Sequence, residues 1–340
     1  MSIQNELQTT IAELVVKGKG ILAADESHPT MAKRFATIKI DSNEESRRAY
    51  RSILLTTPNL GDFISGVILF EETLEQKTDD GKLLPAVLAD NGMVPGIKVD
   101  KGTLPLANAS GDLITQGLDG LTERLEGYKV QGARFAKWRE VYSISPNNPT
   151  QLGMDANAEV LARYAAICQS VGIVPIVEPE VLLDGDHTID YCFEVTEAVQ
   201  RAVFHALYRH RVELEYIVLK PSMVMPGKTA QCQANPEEIA EKTLTQLRRS
   251  VPAAMPVINF LSGGQTPKEA TANLNAINAM AGNAPWELSF SYGRALQQPV
   301  LQAWQGEPEN SKAAQNALYQ RAKLNGAARY GNYSANMENE

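Results

Sequence analysis

Eight short apolar runs, each closed by a charged or small polar residue, recur along this 340-residue chain. They span 21–24, 66–70, 96–100, 133–138, 173–178, 216–220, 257–261 and 287–291, with starts about 30–45 residues apart. Each is too short for a helix and nearly continuous in apolarity, as strands buried on both faces of a parallel sheet are. Such a series leaves few foldable arrangements.

Helices are legible between the runs. Asn235-Pro236-Glu237-Glu238 offers a cap, a proline at the first helical position and acids in the first turn. Ile239, Thr243, Leu244, Leu247 and Val251 then form a stripe that Pro252 ends. Thr266-Pro267-Lys268-Glu269 reads as a capping box. Ala198, Val199, Ala202, Val203, Ala206 and Leu207 make one helical face, and Val160, Leu161, Tyr164, Cys168 and Val171 make another, closed by Gly172. Eight strands alternating with helices predict a (β/α)8 barrel. The competing doubly wound sheet would carry G-x-G-x-x-G after its first strand, whereas the first run ends in Asp25-Glu26-Ser27. The length allows two domains, but no linker or low-complexity tract divides the chain, so a single domain is expected. Its expected parts are an N-terminal helical segment over 1–17, the barrel over 18–325 and a short tail over 326–340.

Charge narrows the function. Thirty-two basic residues against 40 acidic give a formal charge of −8 and a pI near 5.3. This disfavours a nucleic-acid partner, which needs clustered Lys and Arg, but leaves room for a small anion held by local charge. Cys168, Cys192 and Cys232 are widely spaced and form no C-x-x-C pair, as in a reducing compartment. No apolar stretch approaches the ~18 residues of a membrane span, and residues 1–14 lack a signal-peptide pattern. A cytoplasmic enzyme is expected.

A barrel carries its chemistry at the C-terminal ends of its strands. Those ends read Asp25; Glu71 and Glu72; Lys98 and Asp100; Lys137 and Arg139; Glu178 and Glu180; Lys220; Ser262-Gly263-Gly264; Ser291 and Arg294. Any one of these charges is more simply a solvated terminus or a structural ion pair. Charges on nearly every strand end are not explained that way. Alternation places Lys98 with Asp100, and Lys137 with Arg139, on one face.

Lys220 ends Ile217-Val218-Leu219 and precedes Pro221. An apolar wall, and a neighbouring cation such as Lys137, would lower its pKa and free an amine to attack a ketone. The resulting protonated imine is an electron sink, and Glu178, Glu180 and Asp25 are the carboxylates available for proton transfer. Alternatively, Lys220 merely pairs with one of these acids. Ser262-Gly263-Gly264 precedes a capped helix where barrels often bind phosphate, and Arg294 lies after the next run. Metal ligation has little support: H-E-x-x-H is absent, and His205 and His210 do not align on a helix. Asp184-Gly185-Asp186-His187 reads as a turn.

The chain resembles the class I fructose-bisphosphate aldolases, from about residue 18 to about 325. The likeness is carried by Gly-Ile-Leu-Ala-Ala-Asp-Glu-Ser (20–27), Gly-Val-Ile-Leu-Phe-Glu-Glu-Thr-Leu (66–74) and Gly-Ile-Lys-Val-Asp-Lys-Gly (96–102). Phe-Ala-Lys-Trp-Arg (135–139), Val-Pro-Ile-Val-Glu-Pro-Glu (174–180) and Leu-Lys-Pro-Ser-Met-Val (219–224) continue it. Phe-Leu-Ser-Gly-Gly-Gln (260–265) and Phe-Ser-Tyr-Gly-Arg-Ala-Leu (290–296) complete it.

The resemblance implies a single-domain TIM barrel that reversibly cleaves fructose 1,6-bisphosphate to dihydroxyacetone phosphate and glyceraldehyde 3-phosphate, in glycolysis and gluconeogenesis. No cofactor and no metal are implied. Lys220 matches the Schiff-base nucleophile and Glu178 the acid/base of the imine steps, with Glu180 oriented toward the lysine. Asp25 matches the base for the C4 hydroxyl, and Lys137 assists proton transfer and charge balance. Ser262, Gly263, Gly293 and Arg294 match the C1-phosphate site; Ser27, Lys98 and Arg139 match the C6-phosphate side. A cytoplasmic homotetramer is implied, with no nucleic-acid or membrane partner.

The sequence departs from the family pattern in places. His28-Pro29 follows Ser27 where members often carry Thr-Gly, and Asn339-Glu340 stands short of the family's tail with its terminal Tyr. The alternatives are a barrel serving mainly as a binding or scaffold protein, or an aldolase preferring another ketose phosphate such as sedoheptulose 1,7-bisphosphate.

Overall fold

The computed structural model describes residues 2–339. Its eight central strands are β1 (Gly20–Ala24), β2 (Ile64–Leu69), β3 (Val94–Lys98), β4 (Phe135–Tyr142), β5 (Val174–Val181), β6 (Val218–Leu219), β7 (Val257–Phe260) and β8 (Glu287–Tyr292). All neighbours pair in parallel, and β1 pairs with both β2 and β8 to close the barrel. Each expected apolar run overlaps one strand. A small antiparallel hairpin, Thr103–Pro105 with Leu113–Thr115, lies outside the barrel and was not expected.

The parity of the strands sets the chemistry of the interior. Ile21, Ala23, Ile68, Val94, Phe135, Val174, Ile176, Val218 and Val257 form one apolar cluster inside the barrel. Leu22, Val67, Ile97, Trp138, Val177, Leu219 and Ile258 belong to the cluster packed beneath the surrounding helices. Two-residue periodicity then carries the inner face from apolar to charged along the chain. Ala23 leads to Asp25, Phe135 to Lys137 and Arg139, Val174 and Ile176 to Glu178 and Glu180, and Val218 to Lys220. One end of the barrel is oil; the other is ions.

The apolar end is plugged. The helix Ile3–Leu14, capped by Ser2, contributes Leu7, Ile11 and Leu14 to the inner cluster. Phe135 fills the same layer because its neighbours are glycines. A Cβ on Gly96 would stand 2.2 Å from the Phe135 ring, and one on Gly66 would stand 3.1 Å from it. The charged end stays open.

Helix boundaries follow local chemistry. Asn235 Oδ1 accepts from Glu238 N at 2.9 Å, opening the helix Pro236–Ser250. Thr266 and Glu269 form the expected capping box at Pro267–Met280. The helix Gln151–Ser170 ends before Gly172, whose φ of +76° suits glycine. Cys168 and Cys192 are buried and Cys232 is exposed, all as free thiols. No helix among the described residues is long and apolar enough to cross a membrane.

Candidate active site

A cavity of about 1000 Å³ opens at the charged end of the barrel. It is lined by every site residue expected from the sequence: Asp25, Ser27, Lys98, Lys137, Arg139, Glu178, Glu180, Lys220, Ser262, Gly263, Gly293 and Arg294. Residues spread over about 270 positions of sequence meet in one cleft because strand order places their ends around a single ring.

At its floor lies a buried charge network. Lys220 Nζ stands 3.1 Å from Glu178 Oε1. Lys137 Nζ donates to Asp25 Oδ2 at 2.7 Å and lies 3.5 Å from Glu178 Oε2 and 3.8 Å from Asp100 Oδ2. Strand register produces this. Lys98 is paired with Lys137 across β3 and β4, and Arg139 with Glu178 across β4 and β5. The Lys220 backbone N–H donates to Val177 O at 2.8 Å, which extends the β5–β6 ladder to this lysine.

Burial opposes ionisation here, and the opposite charges overrule it. Burial acts to raise Asp25, but Lys137 and Lys220 outweigh it and hold the carboxyl well below its usual range. Burial acts to discharge Lys137, but Asp25, Glu178 and Asp100 outweigh it and push the ammonium well above the usual lysine range. Lys137 therefore is not the free neighbouring cation imagined for Lys220; carboxylates enclose its charge.

Glu180 is placed differently from expectation. Arg139 Nε donates to Glu180 Oε2 at 2.5 Å, and the carboxylate that faces Lys220 is Glu178. Among the described residues Glu178 Oε2 is buried without a hydrogen-bond partner, with only the Lys137 ammonium 3.5 Å away, so a group entering the cleft finds an acceptor there. Of the alternatives for Lys220, the structure shows the ion pair with Glu178.

The rim carries the phosphate candidates. Ser262-Gly263-Gly264 follows β7, with Gly263 at φ +49°, and Arg294 donates to the Gly263 carbonyl. Gly293 precedes the helix Arg294–Trp304. Ser27 precedes the helix His28–Ala36, whose first turns line the cavity. Pro29 occupies the first turn of that helix, where its missing N–H costs nothing. His28 Nε2 bonds Glu72 Oε2 at 2.9 Å, away from Ser27. Lys98 Nζ pairs with Asp100 Oδ1 at 2.6 Å.

Several lining residues were not singled out from sequence. Glu26 is buried and anchors the end of β1. Arg34 pairs with it at 2.6 Å, and Gln297 Nε2 donates to it at 2.7 Å. Alternation points Glu26 opposite to Asp25, a signal present in the sequence. Lys33 and Arg34 sit one helical turn or more past Ser27, so only the helix brings them to the cleft. Lys228 and Asp184 come from loops; Asp184, read as a turn residue, pairs with Lys228 at 2.8 Å.

The comparisons with known proteins show the family. The family model described as fructose-bisphosphate aldolase class-I matches residues 6–340. A probable fructose-bisphosphate aldolase class 1 of Xanthomonas campestris pv. campestris is 54% identical, over 98% of this chain and 99% of the relative. Cytosolic fructose-bisphosphate aldolase 4 of Arabidopsis thaliana is 53% identical, over 98% of this chain and 85% of the relative. Among solved structures, the fructose-bisphosphate aldolase of Plasmodium falciparum, crystallised with TRAP and a small-molecule inhibitor, superposes with a TM-score of 0.96. It is 49% identical and the match covers 98% of this chain and 96% of that one. A barrel of this order, a lysine–carboxylate network at its open end and likeness along nearly the whole chain make the protein a member of the class I fructose-bisphosphate aldolase family.

Proposed function

We propose that the protein reversibly cleaves fructose 1,6-bisphosphate through an imine on Lys220. The observation that carries this reading is the position of Lys220 Nζ, 3.1 Å from Glu178 and on the same barrel face as Asp25 and Lys137. The amine attacks the C2 ketone. Glu178 gives a proton to the carbinolamine oxygen, water leaves, and the iminium forms. Asp25, ionised beside Lys137, takes the proton of the C4 hydroxyl as the C3–C4 bond breaks. The bonding pair moves onto C3 and into the iminium, giving an enamine, while glyceraldehyde 3-phosphate departs. Return of a proton to C3 and addition of water to the imine release dihydroxyacetone phosphate and regenerate the amine. Lys137 balances the charge that passes between Asp25 and Glu178.

Phosphate holds the substrate in register. Ser262, Gly263, Gly293 and Arg294 take the C1 phosphate with backbone N–H groups and a guanidinium. Ser27, Lys98 and Arg139 take the C6 phosphate. Glu180 holds Arg139 in place. The same reading carries a cytoplasmic location and a homotetramer, and sedimentation equilibrium checks the second.

Borohydride reduction in the presence of fructose 1,6-bisphosphate tests the mechanism. A stable adduct is expected on the peptide holding Lys220, and Lys220→Ala is expected to abolish both adduct and turnover. Full activity in Lys220→Ala would overturn the reading.

A further inference from the structure

A second cation stands against the Ser262-Gly263-Gly264 turn, and no expected site residue accounts for it. Lys228 lies eight positions beyond Lys220, in the loop that follows β6. Its Cε packs on Gly264 so closely that a Cβ there would be 2.2 Å from Cε and 3.0 Å from Nζ. The ammonium therefore sits beside the turn, whose Gly263 carbonyl accepts from the Arg294 guanidinium. Lys228 also lines the cavity.

The backbone beneath this lysine is fixed. Lys228 N donates to Leu183 O at 2.8 Å, Gly227 N to His187 O at 2.8 Å, and Thr229 N to Gly185 O at 3.0 Å. A side chain at Gly227 would collide with Gly185 O at 2.3 Å, so the two loops lie in close contact. The side chain is not fixed in the same way. Its one partner among the described residues is Asp184 Oδ1 at 2.8 Å, with Lys228 45% and Asp184 71% exposed. An ion pair this exposed is worth little in water. A dianionic phosphate ester on the turn competes readily with one solvated carboxylate for the same ammonium.

We propose that Lys228 is a specificity-determining residue for phosphate esters, moving from Asp184 to the phosphate held at the Ser262-Gly263-Gly264 turn. This rests on the assignment of that turn as the C1-phosphate site. Asp184 is then a resting partner that weakens phosphate binding by competing for the lysine.

The test compares Lys228→Ala, Lys228→Arg and Asp184→Asn, using KM for fructose 1,6-bisphosphate and competitive inhibition by inorganic phosphate, with Arg294→Ala as reference. Loss of one charge-assisted contact at a solvated site predicts about a tenfold rise in KM and in the phosphate inhibition constant for Lys228→Ala, with kcat within about twofold. Lys228→Arg should stay near wild type, and Asp184→Asn should lower both constants. A purely structural ion pair moves Lys228→Ala and Asp184→Asn in the same direction, which would overturn the proposal. If Arg294→Ala weakens phosphate and Lys228→Ala does not, the lysine's role fails while the C1-phosphate site stands. If neither weakens phosphate, the assignment of the turn itself fails.

Discussion

Lys137 Nζ donates to Asp25 Oδ2 at 2.7 Å, joining the inner face of β4 to the residue that follows β1. This cation keeps Asp25 ionised in a buried place where burial would otherwise favour the neutral acid. Lys137→Met removes the positive charge and leaves Asp25, Glu178 and Asp100 facing one another. Such a change should cut kcat by about two orders of magnitude or more, the range of a lost acid–base group. It should also move the acid limb of the kcat/KM profile to higher pH, because the Asp25 pKa rises without its partner. The stability consequence has the same origin. The depressed Asp25 pKa contributes stability that is present above its unfolded value near 3.8 and is lost as pH falls below it. Urea unfolding across the acid range should show this loss in the wild type and less of it in Asp25→Asn. An acid limb unmoved in Lys137→Met would mean that another group holds Asp25 ionised.

Arg139 offers a separate test of substrate orientation. Its Nε is engaged by Glu180, while the side chain remains 40% exposed toward the cleft. A guanidinium so held presents its remaining N–H groups as a fixed fork, which suits a phosphate. Arg139→Gln should raise KM for fructose 1,6-bisphosphate by about tenfold, the scale of a lost charge-assisted contact. The monophosphate fructose 1-phosphate, which lacks the distal group, should change by less than about twofold. Equal losses on both substrates would place Arg139 in catalysis or folding instead.

Much of this site is legible in the strands because alternation is a rigid rule. Once Val174 and Ile176 point inward, Glu178 and Glu180 follow, and the same holds from Phe135 to Lys137. The barrel's parallel order does the rest, bringing Asp25 and Lys220, far apart in sequence, to one ring. What parity does not encode is which charge meets which. Glu180 was expected to face Lys220 and instead meets Arg139, because both acids share the inner face and only their height along β5 separates them. Lys228 and Asp184 escape for a different reason. They belong to loops without periodicity, and their meeting depends on how two connections pack. The hairpin at 103–115 likewise has no apolar run to announce it.

Glu140 shows the same alternation from its other side. It follows Arg139 on β4 and so faces outward from the barrel, where it is completely buried. Trp138 Nε1 donates to Oε1 at 2.7 Å, Oε2 has no close hydrogen-bond partner among the described residues, and Thr115 stands near enough to favour the charged form. Burial, with a smaller push from Asp100, raises its pKa from the ordinary 4.5 to about 8, against the hydrogen bonds that oppose the shift. The folded protein then holds a proton between those values that the unfolded chain has released. Stability contributed by the neutral acid is complete below about 4.5 and declines as pH rises, levelling off above about 8. The slope is at most about 1.4 kcal/mol per pH unit for one proton. Glu140→Gln keeps the shape and the acceptor for Trp138 while removing the titration. Denaturant unfolding should find the two proteins close in stability near pH 5 and the variant more stable by a few kcal/mol at pH 8.5. A stability difference that does not change between these pH values would mean that Glu140 is ionised throughout, with its charge met by a group that moves to reach Oε2.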